Sequence, residues 1–574
     1  MQMENNFETE ADKLIAEALS SEPRKSFFLF AGAGAGKTRS LVNTLEYIEN
    51  SIGDSLRQKN KRVAVISFTN AAAEEIKNRT QHNSLFAIST IHSFAWNLIK
   101  GLDFDIREAL KAYLYKKIDE YNSKSRRSGT SAEITHEKRV KRLAELDTIK
   151  HFQYEPNQNV PIVDKDYLTH SEVLFICSYL LKNKPLMEII LVNRFPILLI
   201  DESQDTDKEL METMLGVQQN HANKFIIGLF GDTKQRIYNG GKEDLGETNW
   251  NAKGFVTPLK PQNHRSGKRI IELANKIGEK IDSTPPQIPV DQNNPGIVRL
   301  FICPTTSDKA QIEQKIREKM AEITRDSLWI KTPWEDKDGA MLVLEHRMAA
   351  VRLGFVEMWD SLKNLKEFDS IKDGTSSEIN YFANFIMPLI HTDNPFEIAN
   401  ITKKHNKSLF EKADKETLEK IKNSVNGIRD AYKQNPNITF GDMLKVIKDT
   451  DLFDVPRKYD EEYEFYAEFL DTKLAQIIPY SKYVNKVSGF NTHHGVKGLE
   501  FQHVMAIIDN DSKWKAYNYT SCFTGGVANA ATLRLLYVIC TRAKKSLALV
   551  LYADIEKCSV DNSLFYDDEI IMLN

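Results

Sequence analysis

The chain has 574 residues, which corresponds to about four domains of roughly 150 residues each. Hydrophobic residues make up 41% and charged residues 27%, which is typical of a globular protein and excludes a low-complexity chain. The formal net charge of −3 excludes a protein that coats DNA through bulk positive charge. The five cysteines lack zinc-binding spacing, and no apolar run reaches the about 20 residues of a membrane span. We therefore expect a cytoplasmic protein without a disulfide scaffold or a membrane partner.

Short apolar segments alternate with helical patterns along the chain. The strand candidates, in chain order, are residues 26–30, 63–68, 196–201, 224–232, 298–303, 341–347, 489–509 and 546–552. Near-continuous apolar strands separated by helices are typical of a parallel sheet that is covered on both faces. The sequence therefore predicts an α/β fold with parallel sheets.

Two long helical stretches interrupt this alternation, which predicts two α/β domains that each carry a mainly helical insertion. The predicted boundaries are 1–100, 101–190 (insertion), 191–280, 281–369, 370–484 (insertion) and 485–574. The first insertion contains a basic patch, for which contact with duplex phosphates and a solvated charged helix are both open interpretations. Its residues are Lys124, Arg126, Arg127, Lys138, Arg139, Lys141 and Arg142.

A glycine-rich segment, AGAGAGKT at Ala31–Thr38, follows the first strand and opens a helix. Glycine backbone can curl its N–H groups around phosphates, and the N-terminus of the helix adds a favourable dipole. Lys37 is placed to reach the β- and γ-phosphates, and the Thr38 hydroxyl to bind Mg²⁺. The strict P-loop pattern has glycine at the position of Ala31, so the match is incomplete there.

An acidic pair, Asp201 and Glu202, ends the third apolar strand, at the sheet edge where open α/β proteins bind ligands. In that position Asp201 would hold Mg²⁺ and Glu202 would orient and deprotonate the attacking water. Arg347 ends the predicted strand MLVLEHR (341–347), and Arg542 lies in YVICTRAKK. Arginine is suited to stabilising the charge that develops on a transferred phosphoryl group.

Seven sequence blocks in order resemble the UvrD/Rep-like branch of superfamily 1 DNA helicases, and together they cover both α/β domains. The blocks are SFTNAAAEEIKNR (67–79), TIHSFAWNLI (90–99), DESQDT (201–206), GDTKQRIY (231–238), QNHRS (262–266), THHGVKGLEF (492–501) and RLLYVICTRA (534–543). The resemblance implies two RecA-like P-loop domains with ATP between them, and a motor that moves 3′ to 5′ on single-stranded DNA. A single/double-strand junction is the expected substrate.

The resemblance also implies roles for individual residues. For ATP binding they are Ala31, Gly32, Ala33, Gly34, Ala35, Gly36, Lys37, Thr38, Arg39, His346 and Glu500. For catalysis they are Lys37, Asp201, Glu202, Gln235, Arg347 and Arg542. For Mg²⁺ they are Thr38 and Asp201, and for DNA they are Phe68, Asn70, Thr90, His92, Tyr238, Thr492 and His493.

The chain departs from the family pattern at several positions. It has no adenine-reading LNxxQ motif before the P-loop, and His346 stands where the family usually has tyrosine. The aromatic residue and arginine that usually follow the position of Tyr238 are also missing. These losses affect base preference and processive unwinding more than ATP hydrolysis.

Three functional hypotheses follow. The first is an ATP-dependent DNA helicase or translocase, acting in DNA repair or antiviral defence. The second is a DNA-sensing ATPase that regulates a separate nuclease, because compact helicases of this kind occur beside a nuclease in bacterial anti-phage systems such as Gabija. The third is a degenerate RecA-like scaffold that binds nucleotide without hydrolysing it.

Overall fold

The computed structural model divides the chain into two compact units. The first comprises Met1–Gly296 with Ala528–Thr541, and the second Ile297–Val527 with Arg542–Asn574. The described residues are 9–573 without 124–130, 156–165, 239, 247, 306–307, 332–333, 335–337, 366–367, 407–414, 451, 510–516, 554–559 and 561–562. Within the described ranges, no helix is both long enough and apolar enough to cross a bilayer.

The first unit is built on a six-stranded sheet of order β3-β2-β4-β5-β1-β6, in which every pairing is parallel. Its strands are β1 Phe27–Ala31, β2 Val63–Ser67, β3 Phe86–Thr90, β4 Ile197–Ile200, β5 Ile226–Gly231 and β6 Leu259–Lys260. A separate parallel pair consists of β7 Gln262–Asn263 and β8 Ile288–Pro289.

Among the described residues up to Gly296, ten helices cover this sheet or form the first insertion. They are α1 Glu10–Ser20, α2 Lys37–Gln58, α3 Asn70–Arg79, α4 Ile91–Ile99, α5 Asp103–Asn122, α6 Ser131–Glu145, α7 His170–Asn183, α8 Pro185–Arg194, α9 Lys208–Asn220 and α10 Lys268–Glu279. Successive strand residues face opposite sides: Phe28 packs in one buried cluster, and Phe27 and Leu29 pack in the other. Burial on both faces explains why these strands are apolar throughout.

The second unit contains another six-stranded parallel sheet, of order β11-β10-β12-β13-β9-β14. Its strands are β9 Ile297–Cys303, β10 Gly339–Val343, β11 Phe490–Thr492, β12 Phe501–Asp509, β13 Ala543–Tyr552 and β14 Ile570–Met572. The predicted α/β fold with parallel sheets is therefore confirmed.

The helices of the second unit lie mainly between β10 and β11. They are α11 Lys309–Thr324, α12 His346–Leu353, α13 Val356–Leu362, α14 Phe368–Lys372, α15 Ser377–Tyr381, α16 Met387–His391, α17 Pro395–His405, α18 Lys415–Gln434, α19 Phe440–Asp449, α20 Lys458–Glu461, α21 Tyr463–Leu470, α22 Ile477–Val484 and α23 Tyr519–Phe523. A π-helical turn at Phe382–Ile386 joins α15 to α16.

One helix of the late sequence packs with the first unit. Helix α24 (Ala530–Cys540) contacts α10, and the Tyr537 hydroxyl lies 3.5 Å from Asp232 Oδ2. Arg265 Nη1 donates to the carbonyl of Thr541 at 3.2 Å. The change of unit therefore occurs between Thr541 and Arg542, inside a block that the sequence analysis assigned to the second domain.

Residues 281–296 also belong to the first unit, so the division falls at Gly296 and not at the predicted 280/281. Pairing of β7 with β8 holds this segment, together with a hydrogen bond from Val290 N to the carbonyl of Asn263 at 3.1 Å. Such non-local pairing leaves no mark in local composition.

The strand predictions need three corrections, and strands β6, β7, β8 and β14 were not predicted. The segment 489–509 contains two strands, β11 and β12, and not one. The strand predicted over 341–347 ends at Val343, and Arg347 lies in the first turn of α12. The reason is that β10 is a central, fully buried strand, and the polar residues 345–347 could not continue it without burying charge. The sequence analysis also missed β3, an edge strand of which Phe86 and Ile88 alone are buried.

Candidate nucleotide site and nucleic-acid surface

The glycine-rich loop joins β1 to α2, as the sequence predicts. Gly34 and Gly36 have φ angles of 73° and 80°, a left-handed conformation that is open to glycine at little cost. Lys37 is the first residue of α2, and its Nζ donates to the carbonyl oxygens of Ala31 at 3.2 Å and Gly32 at 3.5 Å. The lysine ammonium thus lies over the loop at the N-terminus of the helix. Its positive charge and the helix dipole both favour a phosphate there.

Two side chains that were not among the predicted site residues form hydrogen bonds with the backbone of this loop. Asn263 Nδ2 and Gln287 Nε2 donate to the carbonyl of Ala33 at 2.9 and 2.7 Å, and they contact one another at 3.1 Å. A Cβ at Gly32 would lie 2.1 Å from Gln287 Nε2, so a larger residue there would displace the Gln287 side chain from the loop. Asn263 stands within the QNHRS block, which was a usable signal, whereas nothing in the sequence around Gln287 indicates its contact.

A buried ion pair lies behind the same helix. Lys260 Nζ donates to Ser40 Oγ at 2.7 Å and lies 3.5 Å from Asp12 Oδ2. Asp12 belongs to α1, the segment in which the family's adenine-reading motif is missing. This segment therefore supports the phosphate loop through Lys260, a contact that the sequence analysis missed. Thr38 is partly buried and Arg39 is exposed, in the first turn of α2.

The acidic pair lies at the carboxyl end of β4, in the middle of the sheet. Asp201 is 5% exposed, and its Oδ1 accepts the Glu202 N–H at 3.0 Å. Glu202 has a φ of 48°, a left-handed conformation that non-glycine residues rarely adopt and that is frequent at functional sites. Gln204 Nε2 donates to the Glu202 carboxylate, which fixes the orientation of that side chain.

Gln204 also connects Glu202 to the end of β5. Its Oε1 accepts the Asp232 N–H at 3.0 Å, and Asp232 Oδ2 accepts from Gln235 Nε2 at 2.7 Å. The predicted catalytic residues Glu202 and Gln235 are therefore joined by one buried hydrogen-bond network. Neither Gln204 nor Asp232 was among the predicted site residues, although both lie inside the recognised sequence blocks.

The electrostatics at this edge favour a cation. Burial, and then the charge of Glu202, raises the pKa of Asp201 to about 7, while the ammonium of Lys37 opposes the rise. Burial likewise raises the pKa of Asp232. A carboxylate with a raised pKa gains most from a neighbouring positive ion.

The donor set fits Mg²⁺ bound together with a nucleotide. Thr38 and Asp201 supply a hydroxyl and a carboxylate, and Mg²⁺ in phosphate-transfer sites commonly takes one or two protein oxygens besides phosphates and water. In the described part of the chain, His, Cys, Asp and Glu side chains form no group of three or more that could hold a metal. The site therefore suits a metal that arrives with the phosphates better than an all-protein metal centre.

An aromatic pair lies beside the acidic pair on the first unit. The rings of Phe68 and Tyr238 stack with centroids 5.1 Å apart and planes 27° from parallel. Phe68 follows β2 and is 37% exposed, while Tyr238 is more buried. Burial raises the pKa of Tyr238, and the nearby charges of Asp205 and Glu202 raise it further. The structure thus brings together two predicted DNA residues and places one of them, Tyr238, within electrostatic range of Glu202.

The other predicted DNA residues of the first unit lie at the same sheet edge. Asn70 begins α3, and the Thr90 side chain caps α4 by accepting the Ser93 N–H at 3.4 Å. His92 stacks on His170 of the first insertion, with centroids 4.5 Å apart. Burial, and then the charge of His170, lowers the pKa of His92 to about 4, so its ring is neutral at pH 7.

The basic patch of the first insertion is only partly open to DNA. Lys124, Arg126 and Arg127 lie outside the described residues. Arg142 donates to Glu172 Oε1 at 2.8 Å and to the carbonyl of Tyr167 at 2.7 Å. For Arg142, which is largely buried, the interpretation as a phosphate contact is therefore wrong, because its guanidinium holds the insertion together.

In the second unit, the predicted nucleotide residues Arg347 and His346 contact helix α13. Arg347 donates from Nε and Nη2 to Asp360 at 2.7–3.0 Å, and this carboxylate raises the pKa of Arg347. His346 Nδ1 and the Tyr483 hydroxyl form a hydrogen bond of 2.7 Å. The His346 ring also stacks on Trp359, with ring centroids 5.7 Å apart. Burial lowers the pKa of His346 to about 4.

Arg542 and Glu500 are also engaged within the second unit. Arg542 is 1% exposed, and its Nη1 donates to the carbonyl of Leu499 at 3.1 Å. Glu500 Oε1 lies 2.6 Å from Lys544 Nζ. Neither Leu499 nor Lys544 was predicted to contact a site residue.

The prediction that His493 contacts DNA directly does not agree with its position. His493 is 0% exposed, and burial lowers its pKa to about 3. Its Nδ1 lies 3.0 Å from the Tyr519 hydroxyl and its Nε2 3.3 Å from the carbonyl of Leu342. The ring therefore joins elements inside the second unit, and the adjacent Thr492 is buried as well.

Comparison with known proteins identifies one matching domain family and several similar proteins. The family model described as an AAA domain matches residues 15–241. The Gabija protein GajB of Bacillus cereus (strain HuB5-5) is 24% identical over 95% of this chain and 96% of its own length.

Matches to helicases cover either less than half of this chain or nearly all of it. The ATP-dependent DNA helicase Rep of Buchnera aphidicola subsp. Schizaphis graminum is 28% identical over 43% of this chain and 41% of its own length. The probable DNA helicase II homolog of Mycoplasma capricolum is 23% identical over 96% of this chain and 85% of its own length. The chain is therefore a homologue of the Gabija protein GajB and of UvrD/Rep/PcrA-type superfamily 1 helicases, with an AAA domain in its first unit.

Proposed function

We propose that the chain is an ATP-dependent DNA helicase or translocase that acts on single-stranded DNA and moves 3′ to 5′. The observation that carries this proposal is the common sheet edge of the first unit. Lys37 and the pair Asp201/Glu202 lie there, and the exposed aromatic pair Phe68/Tyr238 lies within electrostatic range of Glu202. Hydrolysis and DNA contact can therefore influence one another over a short distance.

The residues of the first unit divide the work of hydrolysis. Lys37 and the loop N–H groups hold the phosphates, and Mg²⁺, held by Thr38 and Asp201, would neutralise developing negative charge. Glu202, oriented by Gln204, accepts a proton from the attacking water. Gln235 is positioned by Asp232 to respond to the γ-phosphate.

Arg347 and Arg542 of the second unit complete the proposed catalytic set, and Glu500 contributes to ribose binding. This part of the proposal rests on the resemblance of their sequence blocks and on the suitability of arginine for phosphoryl transfer. Replacement of either arginine by alanine should lower kcat much more than it changes the KM for ATP, since the charge acts in the transition state.

The DNA part of the proposal rests on ring chemistry. Every base has a π-face, so an exposed phenylalanine supported by a tyrosine binds single strands of any sequence. Each stack contributes about 1–3 kcal/mol, and opening one DNA step costs on average about 1.4 kcal/mol. A stack that forms and breaks with each ATP is therefore large enough to bias strand separation.

A strand-displacement assay with 3′-tailed and 5′-tailed duplexes tests the function and its direction together. We expect unwinding of the 3′-tailed duplex, and no unwinding by Glu202→Gln. ATPase activity that is unchanged by single-stranded DNA would contradict the proposal, as would equal turnover in the wild type and Glu202→Gln.

A second candidate is a DNA-sensing ATPase that regulates a partner nuclease in bacterial defence, with little unwinding of its own. The similarity to the Gabija protein GajB favours it, because the match spans nearly the full length of both chains. DNA-stimulated ATP hydrolysis without strand displacement would support this candidate. Efficient unwinding by the isolated chain would contradict it.

A further inference from the structure

Arg347 makes a close side-on ion pair with an aspartate outside every recognised sequence block. Its Nε lies 2.9 and 3.0 Å from the two carboxylate oxygens of Asp360, and its Nη2 lies 2.7 Å from Oδ2. Two parallel N–H···O contacts of this kind orient a guanidinium and neutralise much of its charge. Arg347 itself is half exposed, so the pair is not a buried structural bridge.

Helix α13, which carries Asp360, also contacts the other predicted nucleotide residue of this region. Its Trp359 stacks on His346 with ring planes 21° apart. One short helix therefore holds both neighbouring side chains, His346 through an aromatic ring and Arg347 through a carboxylate.

The same helix is attached to the second helical insertion. Gln476, just before α22, accepts the Met358 N–H at 3.0 Å and donates to Glu357 Oε2 at 2.8 Å. Helix α13 also packs against α21 of the insertion. The insertion also contacts α12, because the Tyr483 hydroxyl lies 2.7 Å from His346 Nδ1. A displacement of the insertion would therefore act on both helices that carry the Arg347–Asp360 pair.

We propose that Asp360 is a positioning residue that retains Arg347 in a resting state, and that α13 transmits movement of the second insertion to this arginine. The inference rests on the proposed function, in which Arg347 acts on the γ-phosphate. A guanidinium paired with a carboxylate cannot give its full charge to a phosphate, so hydrolysis requires the pair to separate. DNA that displaces the insertion would favour separation and thereby accelerate hydrolysis.

The expected size of the effect follows from the exposure of the pair. Exposed ion pairs shift equilibria by about two- to fivefold, and bidentate geometry places this one toward the upper end. Loss of Asp360 should therefore raise the DNA-free rate modestly. The DNA-saturated rate should stay the same, because the pair is already separated in that state.

The experiment measures steady-state ATPase of the full chain with and without oligo-dT. We expect Asp360→Asn to raise DNA-free kcat about two- to fivefold while DNA-saturated kcat and the KM for ATP stay within about twofold. Asp360→Glu, which can remake the pair, should resemble the wild type. The matched control is Asp460→Asn in the same unit, which removes the partner 2.6 Å from Lys448, a cation about as exposed as Arg347.

A double variant identifies the route of the effect. Asp360→Asn combined with Arg347→Ala should behave as Arg347→Ala alone, because Asp360 acts only through the arginine. An unchanged or lower DNA-free kcat in Asp360→Asn would overturn the inference, and so would the same increase in Asp460→Asn. Absence of DNA stimulation in the wild type would instead contradict the proposed function, and a higher DNA-free kcat in Asp360→Asn would still support the retaining role of Asp360.

Discussion

The predicted site residues of the two units differ in the kind of contact that their side chains make. In the first unit Lys37, Asp201, Glu202 and Gln235 lie at one sheet edge, supported by neutral amides such as Asn263 and Gln204. In the second unit the corresponding charges are paired: Arg347 with Asp360, and Glu500 with Lys544. The first unit therefore resembles a prepared binding site, whereas the predicted charges Arg347 and Glu500 of the second unit already have partners within that unit.

This contrast has a simple physical origin. Residues that follow directly on parallel strands must meet at the carboxyl edge of the sheet, because the register of the strands brings them there. In the second unit, by contrast, Arg347 on α12 pairs with Asp360 on α13, and Glu500, just before β12, pairs with Lys544 on β13. Neither partner lies in a recognised sequence block. We therefore expect mutations to have large effects in the first unit and smaller, regulatory effects in the second.

The largest effect is expected for Lys37→Ala. Loss of the ammonium over the phosphate loop should lower kcat about 10²–10³-fold, since it removes charge from the transferred phosphoryl group. Phosphate release with saturating single-stranded DNA measures this. Lys59→Ala, an exposed lysine just after the same helix, is the matched control. Equal kcat values in the two variants would contradict the phosphate-binding role proposed for Lys37.

Phe68→Ala should weaken binding of single-stranded DNA by about 2 kcal/mol, or about thirtyfold, because one base stack is lost. Fluorescence anisotropy with labelled oligo-dT measures the Kd, at a stated salt concentration. The control is Phe104→Ala, which removes a 68% exposed ring from the first insertion of the same unit. A similar loss of DNA affinity in both variants would mean that the pair Phe68/Tyr238 is not a specific binding site for DNA bases.

The raised pKa of Asp201 predicts a pH dependence of Mg²⁺ use. Below about pH 7 the carboxyl is mainly protonated and cannot bind a cation, and above it the carboxylate is available. The apparent Mg²⁺ affinity, from titration of the ATPase rate, should rise about tenfold between pH 6 and pH 8. Glu202→Gln should flatten this rise in residual activity or in Mg²⁺-dependent nucleotide binding, since the charge of Glu202 contributes to the raised pKa.

Lys544→Ala addresses the paired charges of the second unit. Removal of the ammonium 2.6 Å from Glu500 takes away a contact that competes with the ribose for this carboxylate. The KM for ATP should fall about two- to threefold with kcat unchanged, which is the size expected for an exposed ion pair. A higher KM would show that Lys544 positions Glu500 productively, and the contrast between the units would then be weaker.

His493→Ala is expected to leave DNA affinity unchanged within about twofold, because the ring is fully buried. It should lower the free energy of unfolding by about 1–3 kcal/mol, since hydrogen bonds to Tyr519 and Leu342 are lost. Thermal melting and DNA anisotropy on the same sample separate these effects. A large loss of DNA affinity with an unchanged Tm would instead indicate that His493 contacts DNA.

The sequence predicted the parts of the site that depend on local order along the chain. The P-loop between β1 and α2 and the acids after β4 follow from apolar strands that end in polar residues, and they lie where expected. Gln287 was missed because its contact with Ala33 spans 254 positions of sequence. Arg347 was placed on a strand because the apolar run before it conceals the start of α12.

The sequence by itself determined two parallel α/β sheets, because apolar periodicity and glycine-rich turns act within a few residues of the chain. It also predicted which loop would bind phosphate and which acidic residues would lie at the carboxyl edge of the first sheet. Only the tertiary structure decided that helix Ala530–Cys540 packs with the first unit, that His493 is buried, and that Asp360 holds Arg347. Those outcomes depend on which distant surfaces meet, and side-chain pairing between them is set by packing rather than by local pattern.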